Sequence, residues 1–222
     1  MTGKTAIFDL DGTLADTSAD LLAAANACFR RLGHGDMLGQ GDAMTAFAGG
    51  RAMLRLGFAR LGPDWSEAEV NAQYPVLLAA YEADIDRHTR LYPGAVAAIA
   101  RLNASGWRCG ICTNKPEALA ETLTRRLGIR DLFAALVGAD TLRQRKPDPA
   151  PYAEAVRRAG GRVAQSFLVG DTETDAQTAR AAGVPVVLVS FGPEGRGVER
   201  LQPDAVLDHF DDLPALAARL LR

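Results

Sequence analysis

Apolar residues recur along the chain in two rhythms. Short, nearly unbroken apolar runs occur at Thr5–Phe8, Trp107–Cys112, Ala135–Val137, Ser166–Val169 and Pro185–Val189, with Ala205–Leu207 as a sixth. Runs of this length without alternation predict strands covered on both faces, as in a parallel sheet. Between them, residues 94–105, 116–127, 149–160 and 174–182 read as helical, and 213–221 adds a final helix. Strand and helix in alternation predict an α/β fold with a doubly wound parallel sheet.

The stretch from about Asp16 to Arg90 departs from this rhythm, with helical patterning and no strand. Thr17 or Ser18 can cap a helix that runs to Arg31 and is stopped by Gly33. Ser66-Glu67-Ala68-Glu69 has the form of a capping box and opens a helix to about Asp86. The expected organisation is an α/β core of residues 1–14 and 91–222, with residues 15–90 inserted as an all-helical second domain. The Gly-rich segment Phe191–Gly197 reads as a loop after a strand.

Composition then narrows the partners. The 222 residues carry a net charge of -2, so no global basic field argues for nucleic acid. No apolar stretch approaches the ~18 residues that a membrane span needs. The first residues run straight into a strand and do not resemble a signal peptide. Three cysteines, Cys28, Cys109 and Cys112, do not make a disulfide framework, which leaves a reducing, cytoplasmic setting as the expectation. Among 25 basic residues only Lys4, Lys115 and Lys146 are lysines. A lysine in an unusual setting is therefore informative in this chain.

The candidate chemistry lies where strands end. The first strand runs into Asp9-Leu10-Asp11-Gly12-Thr13. Two acids at i and i+2 of an extended segment point the same way, about 7 Å apart. They fall on the sheet edge where open α/β folds bind ligands. Such a pair repels unless a cation lies between them or one is protonated. A hard metal such as Mg²⁺ bridges carboxylate to phosphate. An acidic turn is the bland alternative, since Asp-Gly is common in turns. A second acidic group, Gly170-Asp171-Thr172-Glu173-Thr174-Asp175, ends another strand and places Asp171 and Asp175 on one helical face. Acids capping a helix would explain one such cluster, but not two at the same sheet edge.

Two further segments supply complementary groups. Cys112 leads into Thr113-Asn114-Lys115-Pro116, a hydroxyl and an amide just before a helix, whose free amides favour phosphate. Lys146 sits in Arg145-Lys146-Pro147-Asp148-Pro149, stiffened by its prolines, and its compact ammonium suits a phosphate.

In this order the motifs resemble those of the haloacid dehalogenase superfamily of aspartate-nucleophile phosphotransferases, over almost the whole chain. The helical insertion falls where that family places its cap. The resemblance implies that Asp9 attacks phosphorus in line to give an aspartyl phosphate. Asp11 would protonate the leaving alkoxide and then deprotonate the hydrolytic water. Thr113, Asn114 and Lys146 would hold the phosphate. Asp9, the backbone carbonyl of Asp11 and Asp171 would hold Mg²⁺, with Asp175 as a ligand or as a partner of the ligands. The physical demands agree: Asp9 must stay ionised, whereas Asp11 must change protonation state and so should not ligate through its carboxylate. At ~4 Å and an effective dielectric of ~20, each charge pair is worth on the order of 4 kcal/mol. Phosphoryl transfer depends mainly on such positioning and charge stabilisation. The reaction implied is phosphate monoester hydrolysis.

Within the superfamily, Leu14–Leu21, Thr113-Asn114-Lys115 and Pro203–Leu207 resemble the phosphoglycolate phosphatase group. That implies 2-phosphoglycolate as the substrate, a small phosphorylated metabolite, with Lys115 facing its carboxylate. Specificity is expected in the cap, where Gly49-Gly50 could admit a ligand and Arg51 could meet an anion. An ordinary helix–helix turn with a surface arginine explains those three residues equally well. A phosphosugar phosphatase or phosphomutase of the same superfamily is the alternative. A non-catalytic binding domain is a third, against which the intact Asp9/Asp11 pair stands. A monomer and a homodimer are both compatible. Cys109 and Cys112 form a C-x-x-C, but strand spacing turns them to opposite faces and suits core packing. His34, His88 and His209 have no metal-ligand spacing.

Overall fold

The computed structural model describes residues 3–221. Its elements follow in the order β1 (Thr5–Phe8), β2 (Ala15–Asp16), α1 (Ser18–Arg31), α2 (Ala43–Phe47), α3 (Gly50–Leu61), α4 (Glu67–Ala83), β3 (Arg90–Leu91), α5 (Ala95–Ala104), β4 (Arg108–Cys112), α6 (Glu117–Arg126) and β5 (Ala135–Val137). They continue with α7 (Ala150–Arg158), β6 (Ser166–Gly170), α8 (Glu173–Ala182), β7 (Val186–Val189), β8 (Ala205–Leu207) and α9 (Leu213–Leu220). Six strands pair in parallel in the order β5-β4-β1-β6-β7-β8. The apolar runs form these strands because the sheet is covered on both faces: every residue of β1, β5, β6 and β7 is buried. Ile7, Cys112, Val137, Leu168, Val186 and Leu188 share one face and pack on Tyr152 and Val156 of α7 and Ala176 and Ala179 of α8. Phe8 packs edge-on against Phe133, and Trp107 against Phe167. The expected doubly wound α/β sheet is the observed one.

The topology places the site. From β1 the sheet grows one way through β4 and β5, and the other way through β6, β7 and β8. The chain therefore reverses its winding beside β1, and the carboxyl ends of β1, β4 and β6 border the crevice that such a switch leaves open.

The chain divides into two compact units. One joins the residues up to Ala15 with those from Leu91 onward, and the other is Asp16–Arg90. Within the second unit, α1 packs on α4 and α3, with Phe29 edge-on to Phe58. Gly57 makes room for Phe29, whose ring would lie 2.2 Å from a Cβ there. The buried Asp20 carboxylate accepts from the backbone amides of His88 and Thr89 and from the Thr89 hydroxyl, at 2.8–3.0 Å.

Local details of this unit differ from the sequence expectation. Helix α1 is capped by Asp16, whose Oδ1 accepts from the Ser18 amide at 3.0 Å and the Ser18 hydroxyl at 2.6 Å. Thr17 holds the cap position, but its side chain makes no capping bond. The capping box at Ser66 and Glu69 forms as the sequence predicts, but α4 ends at Ala83 instead of near Asp86. Helices α2 and α3 and the two-residue ladder of β2 with β3 lack a distinct sequence signal. Among the described residues no helix is long and apolar enough to cross a membrane.

Candidate active site

Three neighbouring strands deliver the acids and hydroxyls. Asp9 follows β1, and its backbone amide continues the ladder by donating to the Val169 carbonyl at 2.9 Å. Thr113 follows β4 and donates its amide to Val137 at 3.0 Å. Asp171 follows β6, and Asp175 lies one turn into α8. Asp9, Asp171 and Asp175 are all buried, and each offers a carboxylate oxygen within 4.8 Å of the others.

One cation is set against this cluster. Lys146 Nζ lies 2.6 Å from Asp175 Oδ1 and 3.1 Å from Asp9 Oδ1, with its side chain 2% exposed. Three buried carboxylates against one ammonium leave an excess of negative charge. Burial, opposed by Lys146 and reinforced by Asp175 and Asp11, pushes the Asp9 carboxyl up to about 6. Burial and two neighbouring acids, Asp175 and Asp9, raise Asp171 well above the usual carboxylate range. Burial opposes the charge of Lys146, but Asp175 and Asp9 outweigh it and hold the ammonium above its ordinary value. Asp171 Oδ1 accepts from the Thr13 hydroxyl at 2.7 Å, whereas its Oδ2 is buried with no hydrogen-bond partner among the described residues. A buried orphan oxygen in an acid-rich pocket fits a hard divalent cation.

Asp175 has a different place from the other two acids. Its Oδ1 is on Lys146, and its Oδ2 accepts from the Thr172 hydroxyl at 2.7 Å and from the backbone amides of Thr172 and Asp171 at 3.1 and 3.3 Å. Its oxygens are thus committed to aiming the lysine and shaping the loop that carries Asp171. Two glycines make the geometry possible. A Cβ on Gly12, whose φ is +80°, would lie 2.2 Å from Asp171 Oδ2, and one on Gly170 would lie 2.3 Å from Asp175 Cγ.

The remaining sequence candidates divide. Asp11 stands apart from the three clustered acids, its Oδ1 3.0 Å from Lys115 Nζ. The Thr113 hydroxyl accepts from the Lys115 amide at 3.2 Å, and the Asn114 side-chain amide donates to the Lys146 carbonyl at 3.0 Å. Asn114 therefore ties the loop after β4 to the loop carrying Lys146. In the helical unit, Arg51 stacks over Tyr74 at 3.7 Å and donates to Asn71 at 3.3 Å. A Cβ on Gly50 would come within 3.0 Å of Tyr74, so that glycine allows α3 to approach α4. Cys109 and Cys112 are buried free thiols, each pushed up to about 12 by burial, as core residues are.

Thr13 and Thr172 act at this site but were not singled out by the sequence analysis. For Thr172 a signal exists: Thr172-Glu173-Thr174-Asp175 has the spacing of a capping box, and the structure forms one. For Thr13 no signal exists, because its partner Asp171 is 158 residues away.

Comparison with known proteins identifies the family. The family model described as haloacid dehalogenase-like hydrolase matches residues 6–189. The phosphoglycolate phosphatase of Mesorhizobium japonicum is 41% identical, over 97% of this chain and 96% of its own length. The phosphoglycolate phosphatase of Agrobacterium fabrum is 36% identical, over 97% and 93%. In fold, the chain is similar to the crystal structure of CbbY from Rhodobacter sphaeroides in complex with phosphate, with a TM-score of 0.78 at 24% identity and 96% of each chain covered. The chain belongs to the haloacid dehalogenase-like hydrolase family and is a phosphatase of that type.

Proposed function

We propose that this chain is a Mg²⁺-dependent phosphate monoester hydrolase that works through an aspartyl phosphate on Asp9, with 2-phosphoglycolate as its substrate. The observation that carries the reading is the buried cluster of Asp9, Asp171 and Asp175 around Lys146, with one Asp171 oxygen unpartnered. The substrate assignment follows the names of the two relatives above.

Each residue then has a stated task. An Asp9 carboxylate oxygen attacks phosphorus, and the bond from phosphorus to the ester oxygen breaks. Asp11 gives its proton to the departing alkoxide, then takes one from the water that attacks the phosphorylated Asp9. Phosphate leaves, Asp9 regains its carboxylate and Asp11 its proton. Lys146 and the Thr113 hydroxyl hold the phosphoryl oxygens, and Asn114 holds the loop that presents Lys146. Asp9, Asp171 and the main-chain carbonyl of Asp11 would hold Mg²⁺, while Asp175 keeps Lys146 and the Asp171 loop in place. When bound, Mg²⁺ supplies the positive charge that the acid cluster lacks and that the phosphoryl oxygens require.

The test is a phosphate-release screen over 2-phosphoglycolate, sugar phosphates, nucleotides and pyrophosphate, with and without Mg²⁺. The expected result is release from 2-phosphoglycolate that stops in EDTA and returns with Mg²⁺. An isomerised sugar phosphate without free phosphate would replace this reading with a phosphomutase. Release that persists in EDTA would remove the metal from it.

A further inference from the structure

Lys146 has to meet Asp9 and a phosphoryl group from within a long connection, residues 138–149 between β5 and α7. Thr113 belongs to a second connection of the site, residues 113–116 between β4 and α6. Groups that grip one phosphoryl group must keep their spacing to within about 0.5 Å. A misplacement of about 1 Å can cost about 100-fold in rate. Asn114 ties the two connections together beside Lys146. At the start of the longer connection a second set of bonds joins them, and none of its side chains has a part in the reaction above.

This second set is reciprocal. Helix α6 begins after Pro116, which offers no side-chain cap, and the backbone amide of Glu117 donates to Asp140 Oδ1 at 2.7 Å. One of the free amides that the sequence offers to phosphate is thus taken by an acid from the neighbouring loop, as the positive end of a helix favours. In return the Glu117 carboxylate accepts from the Thr141 hydroxyl, whose oxygen accepts from the Gly138 amide at 2.8 Å. The Ala139 amide adds a bond to the Lys115 carbonyl at 2.9 Å. Gly138 lets the two backbones touch, since a Cβ there would lie 2.4 Å from the Glu117 nitrogen. Asp140 is exposed and Glu117 and Thr141 are half-buried, so water could serve all three side chains. Their closure on one another fixes a geometry; it does not rescue a buried group.

We propose that Glu117 and Asp140 are positioning residues: with Thr141 they clamp the loop carrying Lys146 onto the loop carrying Thr113, and so set the spacing of the two groups that hold phosphate. The clamp rests on the phosphatase reading, which gives Lys146 and Thr113 that task. It acts through the backbone and brings no charge to the substrate. By charge alone, loss of either carboxylate would favour an anionic ligand. Loss of the clamp weakens the same ligand, so the two accounts differ in sign.

The experiment measures kcat/KM for para-nitrophenyl phosphate and its inhibition by inorganic phosphate, in Mg²⁺, at a temperature where circular dichroism shows each variant folded. Glu117→Ala and Asp140→Ala are expected to lower kcat/KM and to weaken phosphate inhibition, each by about 10- to 100-fold. Glu117→Gln and Asp140→Asn, which keep an acceptor oxygen without the charge, should recover most of that loss. Thr141→Val should match Glu117→Ala, and the two together should cost no more than either alone, because they break one bond. Phosphate inhibition that is unchanged or tighter in whichever alanine variant folds would overturn the inference alone. Amide variants as weak as the alanine ones would overturn it too, since the charge and not the bond would then matter. Absence of phosphate release from every ester by the wild type would remove the phosphatase reading, and the task of the clamp with it.

Discussion

In the helical unit the ion pairs lie at the surface. Arg30–Asp36, Arg55–Glu67, Arg60–Asp42 and Arg87–Asp84 each use an arginine at least 42% exposed. The α/β unit has surface pairs of the same kind, such as Arg157–Glu154, but it also buries two lysines on three aspartates, Asp9, Asp11 and Asp175, at one sheet edge. Exposed pairs contribute about 0–1 kcal/mol each and tolerate loss. Buried pairs cost desolvation that hydrophobic residues would avoid, so stability does not explain them. The contrast teaches that where this chain uses lysine in place of arginine and buries it, the charge is gathered at the candidate site.

Substitutions sharpen that contrast. Asp9→Asn should cut phosphate release on the order of 10⁴-fold or more while the melting curve shows a folded protein, since the nucleophile alone is lost. Lys146→Met should destabilise the metal-free protein by about 3–5 kcal/mol in urea titrations, because Asp9 and Asp175 are left buried without their cation. Adding Asp175→Asn to that variant should restore part of the loss, and a strictly additive double variant would break the account of the pair. Gly12→Ala should cost about 1–3 kcal/mol through its left-handed backbone and weaken Mg²⁺ binding in calorimetry, since the new methyl enters the space of Asp171 Oδ2.

A smaller effect is expected from pH. The Asp9 carboxyl is raised from 3.8 to about 6 in the folded protein, so the folded state binds the proton more tightly than the unfolded one. Its share of stability is present below about pH 4 and is lost as pH rises through about 6. In EDTA the stability difference between wild type and Asp9→Asn should therefore shift against the wild type as pH goes from 4 to 7, and Mg²⁺ should reverse that shift. A pH-independent difference would mean that Asp9 carries no such strain. The smallest effect belongs to the surface: Arg55→Ala, which removes the exposed bond to Glu67, should leave both melting temperature and turnover unchanged.

The same two regions differ in how far the sequence discloses them. The six core strands are legible because burial on both faces leaves an apolar run at each, from Thr5–Phe8 to Ala205–Leu207. The acids at the ends of β1 and β6 are legible for the same reason, since the end of an apolar run marks the sheet edge. Helices α2 and α3 are not, because α2 is only five residues long and Gly49-Gly50 opens α3 with no side chain to mark a cap. The pairing of β2 with β3 spans two residues in each strand, too few for any period to emerge. The lysine shortage draws attention to Lys146, but its simultaneous contact with Asp9 and Asp175 depends on two loops and the first turn of α8 meeting in space. The same is true of Thr13 on Asp171.

The central claim is that Asp9 becomes phosphorylated. Asp11→Asn, given an aryl phosphate whose leaving group needs no proton, should complete the first transfer and stall before hydrolysis. Acid-quenched mass spectrometry of that variant should find one phosphoryl group on the peptide containing Asp9. A protein that consumes the aryl phosphate yet never carries phosphate on Asp9 would contradict the account.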